Sequence, residues 1–361
     1  MSKLDDLLKQ YCPNGVKCLP LEKCCNILDN KRKPVTKSAR EAGEYPYYGA
    51  NGIQDFVSEY IFDGTYVLVG EDGSVITPNG TPVVNWAEGK IWVNNHAHII
   101  ESNDTVLLRY LFHYIQTINV SPLIHGNIPK LTGGDFRNLS IPVPPLPVQS
   151  EIVRILDNFT ELTAELTAEL TARKKQYEYY RDELLNSVNA EFKELGTVAK
   201  IKNGRDYKHL AEGDIPVYGS GGIMTYVDEF TYDKPTVLIP RKGSVDKLYY
   251  VDVPFWNVDT IFYTDIDTNQ IAPKYLFYLL QKEHLEQYNT AGGVPSLTQA
   301  VLNKIKLRVP KINEQKRIIS ILDRFDTLCN GISDGLPAEI EARQKQYEYY
   351  RDKLLSFKEL A

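Results

Sequence analysis

Four of the five cysteines, Cys12, Cys18, Cys24 and Cys25, and the histidines His96 and His98 in KIWVNNHAHII make metal ligation the first chemistry to weigh. No Cys or His pair follows the thiols at ribbon or finger spacing. A strand carrying both imidazoles on one face supplies no third ligand. Small thiols also pack as buried apolar residues, and an odd number of them in a reducing compartment needs no disulfides. We therefore assign no metal ligand. No G-x-G-x-x-G leads from strand to helix, no Gly-Lys-Ser phosphate loop occurs, and VPPL at Val143 lacks the amide of an Asn-Pro-Pro-aromatic run. No residue is assigned a catalytic role.

Phosphate and base contact is the second chemistry. KRKPVTKSAR holds Lys31, Arg32, Lys33, Lys37 and Arg40 with no acid, and KIKNGRDYK, containing Arg205 and Lys208, is also basic. By contrast, the segment 151–191 is rich in acids, and the whole chain carries a net charge of −6. A single basic loop is more often merely solvated, but its recurrence in both copies makes phosphate contact an equal reading. Asn51, Asn94, Asn95, Arg205, Arg241, Lys242 and Asn257 have side chains able to make paired hydrogen bonds to base edges in a major groove.

The elements that must position these residues come in duplicate. KQYEYYRD occurs at Lys175 and again at Lys345, PYYGANGI at Pro46 aligns with PVYGSGGI at Pro216, and YLFHYIQ at Tyr110 aligns with YLFYLLQ at Tyr275. Gln149, Ile155, Leu156, Asp157 and Phe159 align with Gln315, Ile321, Leu322, Asp323 and Phe325. DDLL at Asp5 is the trace of a third copy. At 361 residues the chain exceeds what one core usually serves.

Runs rich in β-branched and aromatic residues (TYVLVG, KIWVNNHAHII, PTVLIP, KLYYVDV, TIFYTDI) predict strands, with short helices at TVLLRYLFHYIQ and APKYLFYLLQ. The glycine-rich turns at Gly49 and Gly219 predict hairpins. Apolar residues at helical steps predict a long helix over Gln149 to Asn186, about 57 Å long. Its second copy should break near DGLP, where Gly331, Gly335 and Pro337 fall, and restart at Pro337.

The expected fold is α+β: two strand-rich domains separated by a pair of long antiparallel helices, a coiled coil, with an internal pseudo-two-fold repeat. Its expected segments are a helical stub (1–14) completing the carboxy-terminal helix, domains over 15–147 and 191–312, a central helix (148–190), and a carboxy-terminal helical region (313–361) packed on it. The tetrads of TELTAELTAELTAR place Leu162, Leu166 and Leu170 along a slowly winding stripe, a candidate spacer. In the octapeptides Tyr177, Tyr180, Arg181 and Asp182, with Tyr347, Tyr350, Arg351 and Asp352, form two equivalent candidate docking patches. Core packing is the commoner role of tyrosines at helical spacing and accounts for most of these.

Two unlike strand-rich units, separated by helices that open on PVQSEIVRILDNF and INEQKRIISILDRF, resemble the DNA-specificity subunit of type I restriction-modification systems. The resemblance covers essentially the whole chain. It implies a non-catalytic subunit whose domains each read half of a split, asymmetric target in double-stranded DNA. It also implies helices that set the spacer and dock two methyltransferase subunits, with restriction and translocase subunits joining outside. S-adenosylmethionine, ATP and Mg would sit on those partners and no cofactor on this chain. The rivals are a protein-only coiled-coil adaptor and a stand-alone DNA-modifying enzyme. With no run of about 18 apolar residues, and acids in MSKLDDLLKQ where a signal peptide needs a basic flank, a cytoplasmic location without membrane contact is expected.

Overall fold

A computed structural model describes residues 3–73, 75–289, 293–330 and 335–360. Its contacts divide the chain into two compact units, Met1–Glu165 with Ile340–Ala361, and Leu166–Glu339. Each unit combines one strand-rich domain with parts of the helical segments, so both boundaries run through helices.

The first unit is built on a six-stranded sheet in the order Cys25–Ile27, Ala97–Ser102, Phe62–Gly70, Val84–Val93, Ala42–Gly49, Gly52–Val57. Neighbours are antiparallel except for Ala42–Gly49 beside Val84–Val93, where Tyr47 faces Trp92 in a parallel pair. The strand Phe62–Gly70 is buried on both faces: Val67 and Val69 join one core with Ile100, while Leu68 joins another with Ile99. Alternation along a strand produces this division.

In the second unit Val237 and Ile239 enter one core and Leu238 another. Here the strands form a four-stranded sheet (Ala199–Lys202, Ile261–Ile266, Thr236–Pro240, Tyr249–Val251) and a three-stranded one (Gly222–Val227, Ile215–Gly219, Trp256–Asn257).

KIWVNNHAHII is two strands, not one, since Asn94 to His96 make a turn. The turn leaves His96 exposed while His98, inside the second strand, is buried, so the two imidazoles do not share a face as the alternation suggested. Both glycine-rich turns close hairpins, with positive φ at Gly52 (106°) and Gly222 (117°).

The long helix runs Leu146–Ser187, three residues earlier than expected, because Pro147 sits in the first turn, where no intrahelical donor is needed. Its second copy is divided into Ile312–Asn330 and Leu336–Leu354, with Pro337 again in a first turn. The expected break near DGLP falls at this division, of which residues 331–334 lie outside the described residues. In the first unit Phe159 stacks on Tyr350 at 5.4 Å, and in the second Tyr180 meets Phe325 at 6.2 Å.

The stub helix Lys3–Tyr11 buries Leu4 in a core with Ile152, Leu156 and Leu355, and Lys3 binds Glu151 at 2.7 Å. Among the described residues no helix is long and apolar enough to cross a membrane.

Candidate nucleic-acid interface

Backbone hydrogen bonds align the two domains residue by residue. Trp92 Nε1 donates to the Lys33 carbonyl at 2.6 Å, and Trp256 Nε1 donates to the Arg205 carbonyl at 3.1 Å. The Lys33 amide donates to Val93 and the Arg205 amide to Asn257, residues that occupy matching places after the two tryptophans. Lys33 and Arg205 are thus one position in two domains, and both are exposed. Lys33 lies six residues after Ile27, but Arg205 lies only four after the matching Ile201, which obscures the equivalence in the sequence.

Beside this position lies a corner where the same backbone bonds carry opposite charges. The amides of Glu71 and Arg241 donate at 2.8 Å to His96 and Thr260, and their carbonyls accept from Leu131 and Leu297 at 2.8 Å. Glu71 therefore matches Arg241, Asp72 matches Lys242, and His98 matches Phe262.

In the first domain His98 has its ring nitrogens at the Asp29 carboxylate (2.7 Å) and the Leu131 carbonyl (3.1 Å), and its ring stacks on Phe136. Arg32 reaches Glu71 at 2.6 Å and the Ala97 carbonyl at 2.6 Å, and lies 3.7 Å from Asp29. Burial pushes the Asp29 carboxyl upward, but hydrogen bonds from His98 and the Ile99 amide, with the Arg32 charge, hold it below the usual range. Asp29, Glu71 and His98 supply the three ligand types that the sequence did not bring together. Arg32 and Lys130 already balance these carboxylates, so the group reads as a buried ion network. Burial pushes the Cys24 and Cys25 thiols up to about 11 and about 12, which suits neutral packing groups.

The candidate DNA-contacting residues now separate. Lys31, Lys33, Lys37, Asn51 and Asn95 are exposed in the first domain, as are Arg205, Lys208 and Lys242 in the second. Asn51 lines a concave site of about 510 Å³ with Gln54, Asp72, His96 and Lys130, none of which the sequence nominated for DNA contact.

Four candidates are committed to the fold and are corrected. Arg32 is tied up in the ion network. Arg40 lies 4.1 Å over the Tyr47 ring and binds Asp55 and the Val35 carbonyl. Asn94 is buried, bonded to Gln54 and to the His96 amide. Asn257 is buried and donates to the Ile261 carbonyl. A covered amide cannot meet a base edge. Arg241 is half-buried, its guanidinium 5.9 Å above the Phe262 ring.

The octapeptides divide in the same way. Tyr177 and Arg181 are buried, Arg181 lying over the Tyr177 ring and binding Asp182. Tyr347 and Arg351 are half-buried in the matching arrangement, with Arg351 bound to Asp352. These four side chains are engaged in ring contacts and packing on the helices. Tyr180 and Tyr350 are each 40% exposed, whereas Tyr179 and Tyr349, which were not nominated, are 64% and 62% exposed. Burial of two tyrosines leaves the neighbours one step further round the helix facing out. Leu162, Leu166 and Leu170 are half-buried between exposed residues, as a winding stripe requires.

Two matched pairs without an assigned role are anchors. Gln149 and Gln315 each accept from the amide opening a short helix, Leu107 or Ala272, and donate to a proline carbonyl. Asp157 binds Arg109 and His113, and Asp323 binds Lys274 and Tyr278.

The family model described as the type I restriction modification DNA specificity domain matches residues 13–173 and 187–342. A putative type I restriction enzyme specificity subunit of Haemophilus influenzae is 39% identical over 369 residues, covering 94% of each chain. The EcoR124I/EcoR124II specificity subunit of Escherichia coli is 38% identical over 293 residues, 71% of this chain and 72% of that one. A crystal structure of a type I restriction-modification S subunit from M. genitalium shares the fold at TM-score 0.61 and 18% identity, covering 97% and 98% of the two chains.

Proposed function

Because the chain belongs to the type I restriction-modification DNA specificity family, as a specificity subunit and not a catalytic chain, we propose that it reads a bipartite, asymmetric duplex target, one half-site per strand-rich domain. In this reading it also holds two methyltransferase subunits, with restriction and translocase subunits joining that complex, and S-adenosylmethionine, ATP and Mg belong to those partners.

The observation that carries the proposal is the matched corner: the same backbone hydrogen bonds support Lys33, Glu71 and Asp72 in one domain and Arg205, Arg241 and Lys242 in the other. One frame with exchanged polar groups is what two readers of unlike half-sites need. Lys31, Lys37 and Lys208 are the phosphate contacts, and Asn51 and Asn95 the base-reading amides. Tyr179, Tyr180, Tyr349 and Tyr350 are the docking aromatics on the helices.

Sequencing the methylated adenines in DNA modified by the reconstituted complex tests this reading. Two separated, unlike half-sites about one helical turn apart are expected. Deleting Thr163 to Leu166 removes one tetrad, about 6 Å of helix, and should shorten the spacer by one or two base pairs without changing either half-site. A changed half-site would refute the spacer role, and duplex binding indifferent to sequence and salt would favour a protein-only adaptor.

A further inference from the structure

Both domains expose an apolar stripe along the same edge strand. Gly52–Val57 and Gly222–Val227 each lie at the margin of their sheet. Ile53 and Phe56 are each 52% exposed, and their counterparts Ile223 and Tyr226 each 50%. Beyond the strands Tyr60 and Phe230 are exposed as well. Each strand pairs with its hairpin partner through a bulge at the same place, after Tyr47 and after Val217.

Both hairpins are also braced alike. A Cβ on Gly43 would lie 2.4 Å from the Val57 carbonyl, and one on Gly213 2.5 Å from the Val227 carbonyl, so neither position accepts a side chain. Exposed acids flank both stripes at matching places: Glu44 and Glu59 in the first, Asp214 and Glu229 in the second. The first domain adds Lys90, 4.7 Å over the Tyr60 ring, so its acidic border is the weaker one.

An exposed apolar edge strand is an aggregation hazard, which natural proteins normally blunt or cover. Its acidic border disfavours phosphate, since surfaces that bind DNA are strongly positive. What covers it must also be the same at both domains. Half-sites differ, and the corner described above differs with them, but two copies of one partner present one surface twice.

We propose that each edge hairpin, through Ile53 and Phe56 or Ile223 and Tyr226, docks one copy of the methyltransferase subunit by an apolar patch bordered by basic residues. This rests on the two-methyltransferase reading above and assigns it a second contact, separate from the helices.

The test is co-expression of the full chain with the methyltransferase subunit of its own system, with subunits counted by native mass spectrometry. The unaltered chain should carry two copies. Ile53→Glu with Phe56→Glu should weaken one attachment roughly tenfold or more, leaving one copy at limiting concentration. Ile223→Glu with Tyr226→Glu should do the same at the other domain.

Glu59→Lys with Glu229→Lys leaves the apolar residues in place and should weaken both attachments most at low salt. Thermal unfolding and duplex binding of the free chain should be unchanged in every variant. Two copies retained by all variants would overturn the hairpin assignment alone. Weakened duplex binding with both copies retained would place the stripe against DNA and also overturn it. Self-association of the free chain that the glutamates abolish would make a second copy of this chain the occupant instead. An unaltered chain that takes up no methyltransferase subunit would overturn both readings.

Discussion

The corner at the end of strand Phe62–Gly70 and its counterpart after Thr236–Pro240 have one backbone and two chemistries. In the first domain Glu71 lies 3.6 Å from His98, inside a network closed by Arg32 and Asp29. In the second, Arg241 lies over the apolar ring of Phe262, and the network has no counterpart at that pair. The amides and carbonyls at 71 and 241 keep the same partners in both, so backbone pairing is sufficient to hold the loop. Side chains there can change charge without changing the frame.

Removing Arg32 should have a far larger effect than removing Arg241. Arg32→Ala leaves Asp29 and Glu71 half-buried against one another with only His98 and Lys130 nearby, and should destabilise the first unit by about 3 kcal/mol. Arg241→Ala strands no acid and should change the second unit's stability by only about 0.5 kcal/mol. Denaturant unfolding followed by hydrogen exchange in each unit separates the two. Equal losses would mean that Arg32 is an ordinary surface cation.

The repeat explains how much of this was legible. Strands, hairpins, the long helix and the pairing of Gln149 with Gln315 and Asp157 with Asp323 follow from periodicity and self-alignment, which report the frame. What each exposed position does depends on which way a side chain points after a turn or a short deletion, and spacing is silent on that. Arg32 and Lys33 are adjacent in one basic run, yet one is locked in a buried network and the other is exposed. Asn94 and Asn95 likewise differ by one turn residue, one buried and one exposed. Tyr177 and Tyr179 are equivalent as letters, and only the packed helix partner decides which of them a second protein can reach.

The two units should also differ in their response to pH. Where the first unit has His113 against Asp157 and Tyr347, the second has Tyr278 against Asp323. Burial pushes the His113 imidazole below its usual range, opposed by its bond to Asp157. Burial pushes Asp157 up, but His113 and Arg109 bring it below the carboxylate range. Both folded values lie below the unfolded ones, so as pH falls the unfolded chain takes up protons first. The His113 contribution is present above about 6.5 and the Asp157 contribution above about 3.9, and each is lost as pH falls through its folded value. Tyr278, pushed upward by burial, stays neutral throughout this range. Acidification from about pH 7 to 5 should therefore loosen this anchor of the first unit and spare its counterpart. His113→Tyr should remove that sensitivity and Tyr278→His should introduce it; hydrogen exchange at Leu108–Ile115 and Pro273–Lys282 reads both.

The smallest expected effect is at Lys242, and it concerns DNA instead of stability. Lys242 is exposed where the first domain has Asp72, which is bonded to His96. If the corner faces the phosphate backbone, Lys242→Ala should lower the slope of log affinity against log salt by about 1 and weaken specific and non-specific duplexes alike. Asp72→Ala should do the opposite or nothing, because it removes a negative charge from the matching place. A Lys242→Ala variant that weakened only one base sequence would show that this side chain reads a base, which the matched backbone permits equally well. The sign of the difference between positions 72 and 242 therefore decides whether charge exchange at one fixed corner tunes how firmly each domain grips DNA, or which bases it accepts.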